Sequence, residues 1–357
     1  MVMLVNKKPV SLSQLLHSVP GIVSSSGQDV QVKRIIQDSR QAQPGDLFVA
    51  FAGGSTDGHK FIPSALQRGV TAIVGTQAIP PLPVPYIQVE DSRLALAYLA
   101  AAFYDFPAKR LLVIGVTGTD GKTTTANLIY DILRTAGFQA GMISTVNAVI
   151  GDQELDTGFH VTTPDALSVQ SYLSQMAATG ATHVVLEATS HGLAQHRVDA
   201  CEFDLGIVTN ITHEHLDYHG SYEAYRAAKA KLFEFLSVTQ PKSFFTPRCA
   251  ILNFDDDSYQ YLANQTKVIQ LSYGANPGAD IMADRVIQDA SGLMFDIHGR
   301  SLLGSPWGMK VSTPLVGSYN ISNCLAAVAA CSGALSIDPV IAQGALKNVR
   351  KVPGRME

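Results

Sequence analysis

The apolar run Leu111-Leu112-Val113-Ile114-Gly115-Val116 leads directly into Thr117-Gly118-Thr119-Asp120-Gly121-Lys122-Thr123-Thr124, and then into a segment that reads as a helix to Ala136. A continuous apolar run is the signature of a parallel strand covered on both faces. Glycines and Lys-Thr at such a strand's end read as a phosphate-binding loop. The glycines let backbone N–H groups turn inward around phosphate oxygens, and the helix start adds its partial positive charge. Lys122 supplies a point charge for the outer phosphates and Thr123 a hydroxyl for Mg²⁺. Val116 stands where the common spacing has its first glycine. The competing reading is a tight strand–helix turn that happens to contain glycines, and it gives no reason for Gly-Lys-Thr directly after an apolar strand.

The rest of the chain fits an α/β fold around this loop. Strands are expected at Asp46–Ala52, Thr71–Val74, Thr182–Leu186, Asp204–Thr209, Ala250–Asn253 and Lys267–Leu271. Helices are expected at Lys60–Arg68, Asp91–Tyr104, Tyr222–Leu236, Asn320–Ser332 and Ile337–Asn348, and antiparallel edge strands within Met282–Gly299. Pro80 to Pro85 is a connector that cannot be helix or central strand. The expected organisation is a small N-terminal α/β domain, residues 1–108, followed by a doubly wound, mostly parallel P-loop ATPase domain, residues 109–357.

Composition narrows the function classes. The chain has 357 residues, 46% hydrophobic and 16% charged, which allows a sizeable core. A net charge of −4 gives no basic field for nucleic acid. Cys201, Cys249, Cys324 and Cys331 show no paired spacing and read as reduced thiols of a cytoplasmic enzyme. No signal-peptide pattern is read at the start, and no run reaches the roughly 20 apolar residues of a membrane span.

The loop resembles the ATP loop of the Mur ligase family, and further segments follow in that family's order. Asp38-Ser39-Arg40 and Pro44 to Ala50 resemble the nucleotide-sugar domain of the MurE type. Thr162-Thr163-Pro164-Asp165, Glu187 to Leu193, Gln195, Arg197, Thr209 to Gly220, Lys229, Gly317, Asn320, Asn323 and Pro353 to Glu357 come next. MurE-type enzymes add the third amino acid to UDP-N-acetylmuramoyl-L-alanyl-D-glutamate in peptidoglycan synthesis. The resemblance therefore implies that ATP phosphorylates the D-glutamate carboxylate and that an amine attacks the acyl phosphate.

It also implies residue roles. Gly118, Thr119, Asp120, Gly121, Lys122, Thr123 and Thr124 would hold ATP, with Asn320 at the adenine and Arg355 at the transferring γ-phosphate. Thr123 and Glu187 would hold one Mg²⁺, and His215 a second. His213, His215 and His219 taken alone could suggest zinc, with two of the three merely solvated or orienting neighbours. Lys229, by composition one more surface lysine, matches a lysine that the family carbamylates with CO₂ to orient the magnesium site. Ser39 would contact uracil. Thr162, Thr163, Thr189, Gln195 and Arg197 would bind the muramoyl dipeptide.

Two departures are mild: Ala188-Thr189 for Val-Ser, and His213-Glu214 for Arg-Asp. Family members continue into a third domain, so a fragment that turns over poorly is expected. A monomer is expected, and diaminopimelate, lysine and ornithine all remain open as the added amino acid. A folylpolyglutamate synthase type of ligase and a non-catalytic nucleotide-binding module are the alternatives. A GTPase would need an Asn-Lys-x-Asp motif, which the sequence lacks.

Overall fold

The computed structural model describes residues 7–51, 56–145, 147–156, 163–214, 216–242, 247–302 and 304–349. Two units pack internally. The first holds the chain to Pro107 together with Asp165–Ser174 and Gln195–Cys201, and the second holds the remainder.

In the first unit, β1 (Ile22–Ser26), β2 (Arg34–Ile36), β3 (Asp46–Val49), β4 (Ala72–Gly75) and β5 (Tyr86–Val89) form one sheet in the order β1-β5-β4-β3-β2. Strands β2 to β5 run parallel and β1 is antiparallel at the edge. Alternate side chains serve two cores. Leu47, Val49, Val74 and Ile87 pack with Leu96 and Leu99 of helix α1 (Ser92–Phe103), while Phe48, Ile73 and Tyr86 pack with Ile62. Asp91 caps α1 by accepting from the N–H groups of Arg93 and Leu94. The expected helix at Lys60–Arg68 is a 3₁₀ turn, Gly58–Phe61, followed by a short α-helix, Ile62–Gln67, with Pro63 in its first turn.

The second unit is built on β6 (Leu112–Thr117), β7 (Ala140–Ile143), β8 (Asn147–Ile150), β9 (Gln153–Asp156), β10 (His183–Glu187), β11 (Leu205–Val208), β12 (Cys249–Asn253), β13 (Ile269–Gly274), β14 (Ile281–Asp289), β15 (Gly292–Arg300) and β16 (Pro306–Thr313). Their order is β9-β8-β7-β10-β6-β11-β12-β13-β14-β15-β16. The strands from β7 through β14 in that order pair in parallel, and antiparallel hairpins extend both edges. The expected edge strands within Met282–Gly299 are β14 and β15, and β16 adds a third that the sequence reading did not include.

Helix α2 (Lys122–Thr135) buries Ala126, Ile129, Ile132 and Leu133 against the sheet. Helix α3 (Ala166–Ala178) belongs to the first unit as far as Ser174, and helix α4 (Tyr222–Val238) follows in the second. The expected helix Asn320–Ser332 divides into α5 (Tyr319–Val328) and a π-helical stretch, Ala329–Ala334. Helix α6 (Pro339–Lys347) starts on proline, with Asp338 capping the Val340 N–H. All four cysteines are buried. Among the described residues no helix is long and apolar enough to cross a membrane.

Candidate active site

Strand β6 ends where its neighbours' ladders stop, and the chain turns through Gly118 and Gly121 before entering α2. Gly118 has φ 144° and Gly121 φ 79°, conformations that L side chains rarely adopt. Space is tight as well as turned. A Cβ on Gly118 would lie 1.8 Å from Thr209 Oγ1, and one on Gly121 would lie 2.2 Å from Asn323 Oδ1.

The segment after β11 grips this loop. The Thr119 N–H donates to Asn210 O (2.7 Å) and the Asp120 N–H to Asn210 Oδ1 (3.0 Å). Thr209 Oγ1 donates to Asp120 O (2.5 Å), and the Thr212 N–H donates to Thr119 Oγ1 (2.9 Å). The Thr119 hydroxyl also meets the Tyr225 hydroxyl at 3.1 Å. Lys122 opens α2, is 9% exposed, and folds its ammonium back onto Thr119 O at 2.7 Å. Thr124 is half-buried in the same first turn.

Glu187 is the last residue of β10 and is fully buried. Its two carboxylate oxygens accept from the Thr123 hydroxyl, each at 3.1 Å, and Oε2 also accepts from the Thr145 N–H at 3.0 Å. The structure thus brings together the two residues read from sequence as a Mg²⁺ pair, in an all-oxygen setting suited to a hard cation. Directly behind Glu187, Thr163 Oγ1 donates to Glu187 O (3.0 Å) and lies 2.9 Å from Thr189 Oγ1. The Gly192 N–H donates to Thr189 Oγ1, and a side chain on Gly192 would strike Thr163 at 2.8 Å.

Lys229 is not a surface lysine. It is 1% exposed on the inner face of α4. Its Nζ donates to Gly118 O at 2.5 Å and lies 4.4 Å from the centroid of the Tyr225 ring. Burial above all, and then the nearby Lys122 ammonium, pushes its pKa well below that of an ordinary lysine, against a weaker pull from Glu214, Asp120 and Glu187. Tyr225, one helical turn before it, is fully buried, and burial raises its phenol to about 12.

Asn320 and Asn323 sit buried at the start of α5. Asn323 Nδ2 donates to Asn320 Oδ1 (2.9 Å), and the Thr125 hydroxyl reaches Asn323 Oδ1 at 3.4 Å, which ties α5 to the loop's helix. His213 stacks on Tyr222, and His219 meets Tyr225 edge-on. Thr162, His215 and Arg355 lie outside the described residues.

In the first unit, Ser39 is buried in a 3₁₀ turn that Asp38 caps, and Arg40 forks back onto the Asp38 carboxylate. A cavity of about 730 Å³ runs beside β2, lined in part by Lys7, Lys33, Arg34, Gln37, Phe103 and Tyr104. Gln195 and Arg197 belong to this unit, and Gln195 Oε1 accepts from the Arg197 guanidinium at 2.7 and 3.2 Å.

Sequence reasoning gave no role to Thr145 or Tyr225. Thr145 engages Glu187 through its backbone, which carries no side-chain signal. Tyr225 could have been found from its i, i+4 spacing to Lys229, which places both on one helix face.

The Mur ligase middle domain matches residues 116–331, and the Mur ligase family catalytic domain matches residues 31–104. The UDP-N-acetylmuramoyl-L-alanyl-D-glutamate–2,6-diaminopimelate ligase of Geobacillus thermodenitrificans is 40% identical over 349 residues, 98% of this chain and 69% of that protein. The UDP-N-acetylmuramyl-tripeptide synthetase of a Roseiflexus species is 39% identical over 92% of this chain and 65% of its own length. This chain therefore spans about two thirds of the length of these curated relatives. A solved UDP-N-acetylmuramoyl-L-alanyl-D-glutamate–2,6-diaminopimelate ligase superposes with a TM-score of 0.78 at 27% identity, over 92% of this chain and 64% of that one. Family members are ATP-dependent ligases that form amide bonds and use Mg²⁺. With two family domains matched in order and close relatives aligned over nearly all its residues, the chain belongs to the Mur ligase family.

Proposed function

We propose that this chain carries the nucleotide-binding and UDP-sugar-binding parts of a ligase of the MurE type. That ligase adds the third amino acid to UDP-N-acetylmuramoyl-L-alanyl-D-glutamate. The observation that carries the reading is the buried Thr123–Glu187 pair at the mouth of the loop that presents Lys122. The curated relatives, at 39–40% identity, support the choice of step.

Phosphoryl transfer asks the protein for positioning and charge neutralisation rather than covalent chemistry. Lys122, held against Thr119 O, is placed to turn its ammonium toward the β- and γ-phosphates. Gly118, Thr119, Asp120, Gly121 and Thr124 shape the cradle, and Asn320 beside Asn323 offers its amide to the adenine side. Thr123 and Glu187 would hold Mg²⁺, whose charge neutralises the phosphate oxygens when it is bound. Thr163 and Thr189, joined hydroxyl to hydroxyl behind Glu187, present polar groups for the acyl acceptor. Arg197, steered by Gln195, would bind a substrate carboxylate, and Ser39 belongs to the uracil end. His215 and Arg355 keep the roles that the family resemblance gives them.

Lys229 supports a carbamate. Only a neutral amine attacks CO₂, and burial beside the Lys122 ammonium favours the neutral form. Nζ bonds to the carbon of CO₂ and loses one proton, so a neutral amine becomes an anion facing the loop. The family reading supports a monomer in a cytoplasmic setting.

The test is mass spectrometry of the chain incubated with MgATP, UDP-N-acetylmuramoyl-L-alanyl-D-glutamate and, in parallel, diaminopimelate, lysine or ornithine. Hydroxylamine is added to trap acyl phosphate as a hydroxamate. ADP formed with trapped hydroxamate supports the reading. Absence of both, with MgATP bound, leaves a nucleotide-binding module instead.

A further inference from the structure

We infer that Tyr273 and Asn253 are positioning residues for the phosphate loop, acting through the backbone of Val208 and Thr209. The inference rests on the reading of Gly118–Thr124 as an ATP loop.

Strand β11 ends at Val208, and its ladder with β12 is registered only as far as Ile207 opposite Ile251. Beyond that point the chain leaves the sheet to reach the loop, so Val208 O and Thr209 O lose their ladder donors. Both residues are 1% exposed. A buried carbonyl without a donor carries a desolvation penalty.

Side chains from the next two strands supply the donors. Tyr273 on β13, fully buried, donates its hydroxyl to Val208 O at 2.8 Å, with Thr209 O at 3.3 Å. Asn253 on β12, registered opposite Tyr273, donates Nδ2 to Thr209 O at 2.6 Å. Ser322, which lies on α5 between Asn320 and Asn323, is next to the Tyr273 hydroxyl. Asp256, three residues past Asn253, accepts from the Ile211 N–H at 3.0 Å.

The consequence reaches the loop within two residues. Thr209 Oγ1 and both oxygens of Asn210 hold Asp120 O, the Thr119 N–H and the Asp120 N–H. The Tyr273 hydroxyl therefore anchors the segment that grips the phosphate loop at the point where it leaves the sheet. A tyrosine serving only the core would not need its hydroxyl at the point where the strand departs.

The experiment uses Tyr273→Phe, which removes one oxygen, and Asn253→Ser, which removes the Thr209 donor should the first variant fold poorly. Tyr86→Phe is the control. It deletes a part-buried phenol-to-carbonyl bond, Tyr86 to Gln77 O at 2.6 Å, in the other unit. MgATP affinity is measured by calorimetry, and hydrogen exchange is followed over the peptide containing Thr119 and Asp120. Tyr273→Phe should weaken MgATP roughly tenfold, about the worth of one well-placed hydrogen bond, and speed exchange of the two loop amides. Tyr86→Phe should change neither. The inference is overturned if Tyr273→Phe and Asn253→Ser bind MgATP as the parent does, or if loop exchange is unchanged. Failure of the parent chain itself to bind MgATP overturns the ATP-loop reading instead, so the two failures are distinct.

Discussion

Gly118→Ala tests how the loop is built. At φ 144° an alanine pays roughly 1–3 kcal/mol in backbone strain. Its Cβ would also sit 1.8 Å from Thr209 Oγ1, far inside contact distance. That hydroxyl cannot simply rotate away, because it donates to Asp120 O at 2.5 Å and lies 3.3 Å from Thr117 O. Breaking the first contact adds about 1 kcal/mol, and forcing the segment aside adds about 1–3 kcal/mol more, as overpacking does. The expected loss is therefore about 3–7 kcal/mol of unfolding free energy, read from urea denaturation. Thr209→Ala removes the atom that is struck. The double variant should recover the steric part and keep the backbone part, so the two changes should be non-additive by about 1–3 kcal/mol in the favourable direction. Gly118→Ala within about 0.5 kcal/mol of the parent, or strict additivity in the cycle, would refute the reasoning.

Three other perturbations have defined outcomes. Glu187→Gln keeps shape but removes the charge facing Thr123, so Mg²⁺ should no longer strengthen ATP binding, while Mg²⁺-free ATP binding changes little; calorimetry with and without Mg²⁺ reads this. Lys229 has a folded pKa well below 10.5, so the unfolded chain binds the extra proton and stability rises with pH across that window, by about 1.4 kcal/mol per pH unit. Lys229→Met in CO₂-free buffer should flatten the slope in the alkaline range just below pH 10.5, and in ¹³C-bicarbonate it should lose the carbamate carbon resonance expected of the parent; a parallel slope in both proteins would contradict the neutral buried amine. Lys242 donates to Leu111 O, Glu202 O and Asp204 Oδ2, so Lys242→Met should cost about 3–5 kcal/mol by stranding the buried Asp204 carboxylate, measured by denaturation.

Much of the second unit was legible because its signals are local. The apolar runs that became β6, β10, β11 and β12 are buried throughout or nearly so, and the glycines of the loop announce its turn. The strands Asn147–Ile150 and Gln153–Asp156 were not foreseen, since each is four residues long and is made by pairing with its neighbour rather than by an apolar run. Strand β1 was missed for a related reason: all five of its residues are exposed on a sheet edge, so no hydrophobic pattern marks it. Lys229 shows the opposite limit. Periodicity sets Lys229 on the same face of α4 as Tyr225, Leu232 and Leu236 and turns Lys231 about 200° away, but it cannot show that the Gly118 carbonyl arrives from elsewhere in the fold to meet Nζ.

The place of the site follows from the order of the strands. After β6 the chain crosses to β7, returns to fill the gap with β10, and then crosses to the opposite side of β6 as β11. Connections therefore leave in both directions at the C-terminal end of β6, which opens a crevice there. The two flanking strands then contribute different chemistry because they end differently. On one side β10 ends in a buried carboxylate, Glu187, already in contact with the loop's Thr123. On the other side β11 ends early, and Thr209 and Asn210 spend their polar groups on holding the loop's backbone. One flank thus faces the ligand and the other faces the loop. Substitutions on the β10 side should change what binds, whereas those on the β11 side should change how firmly the loop is held while leaving the choice of metal and nucleotide intact.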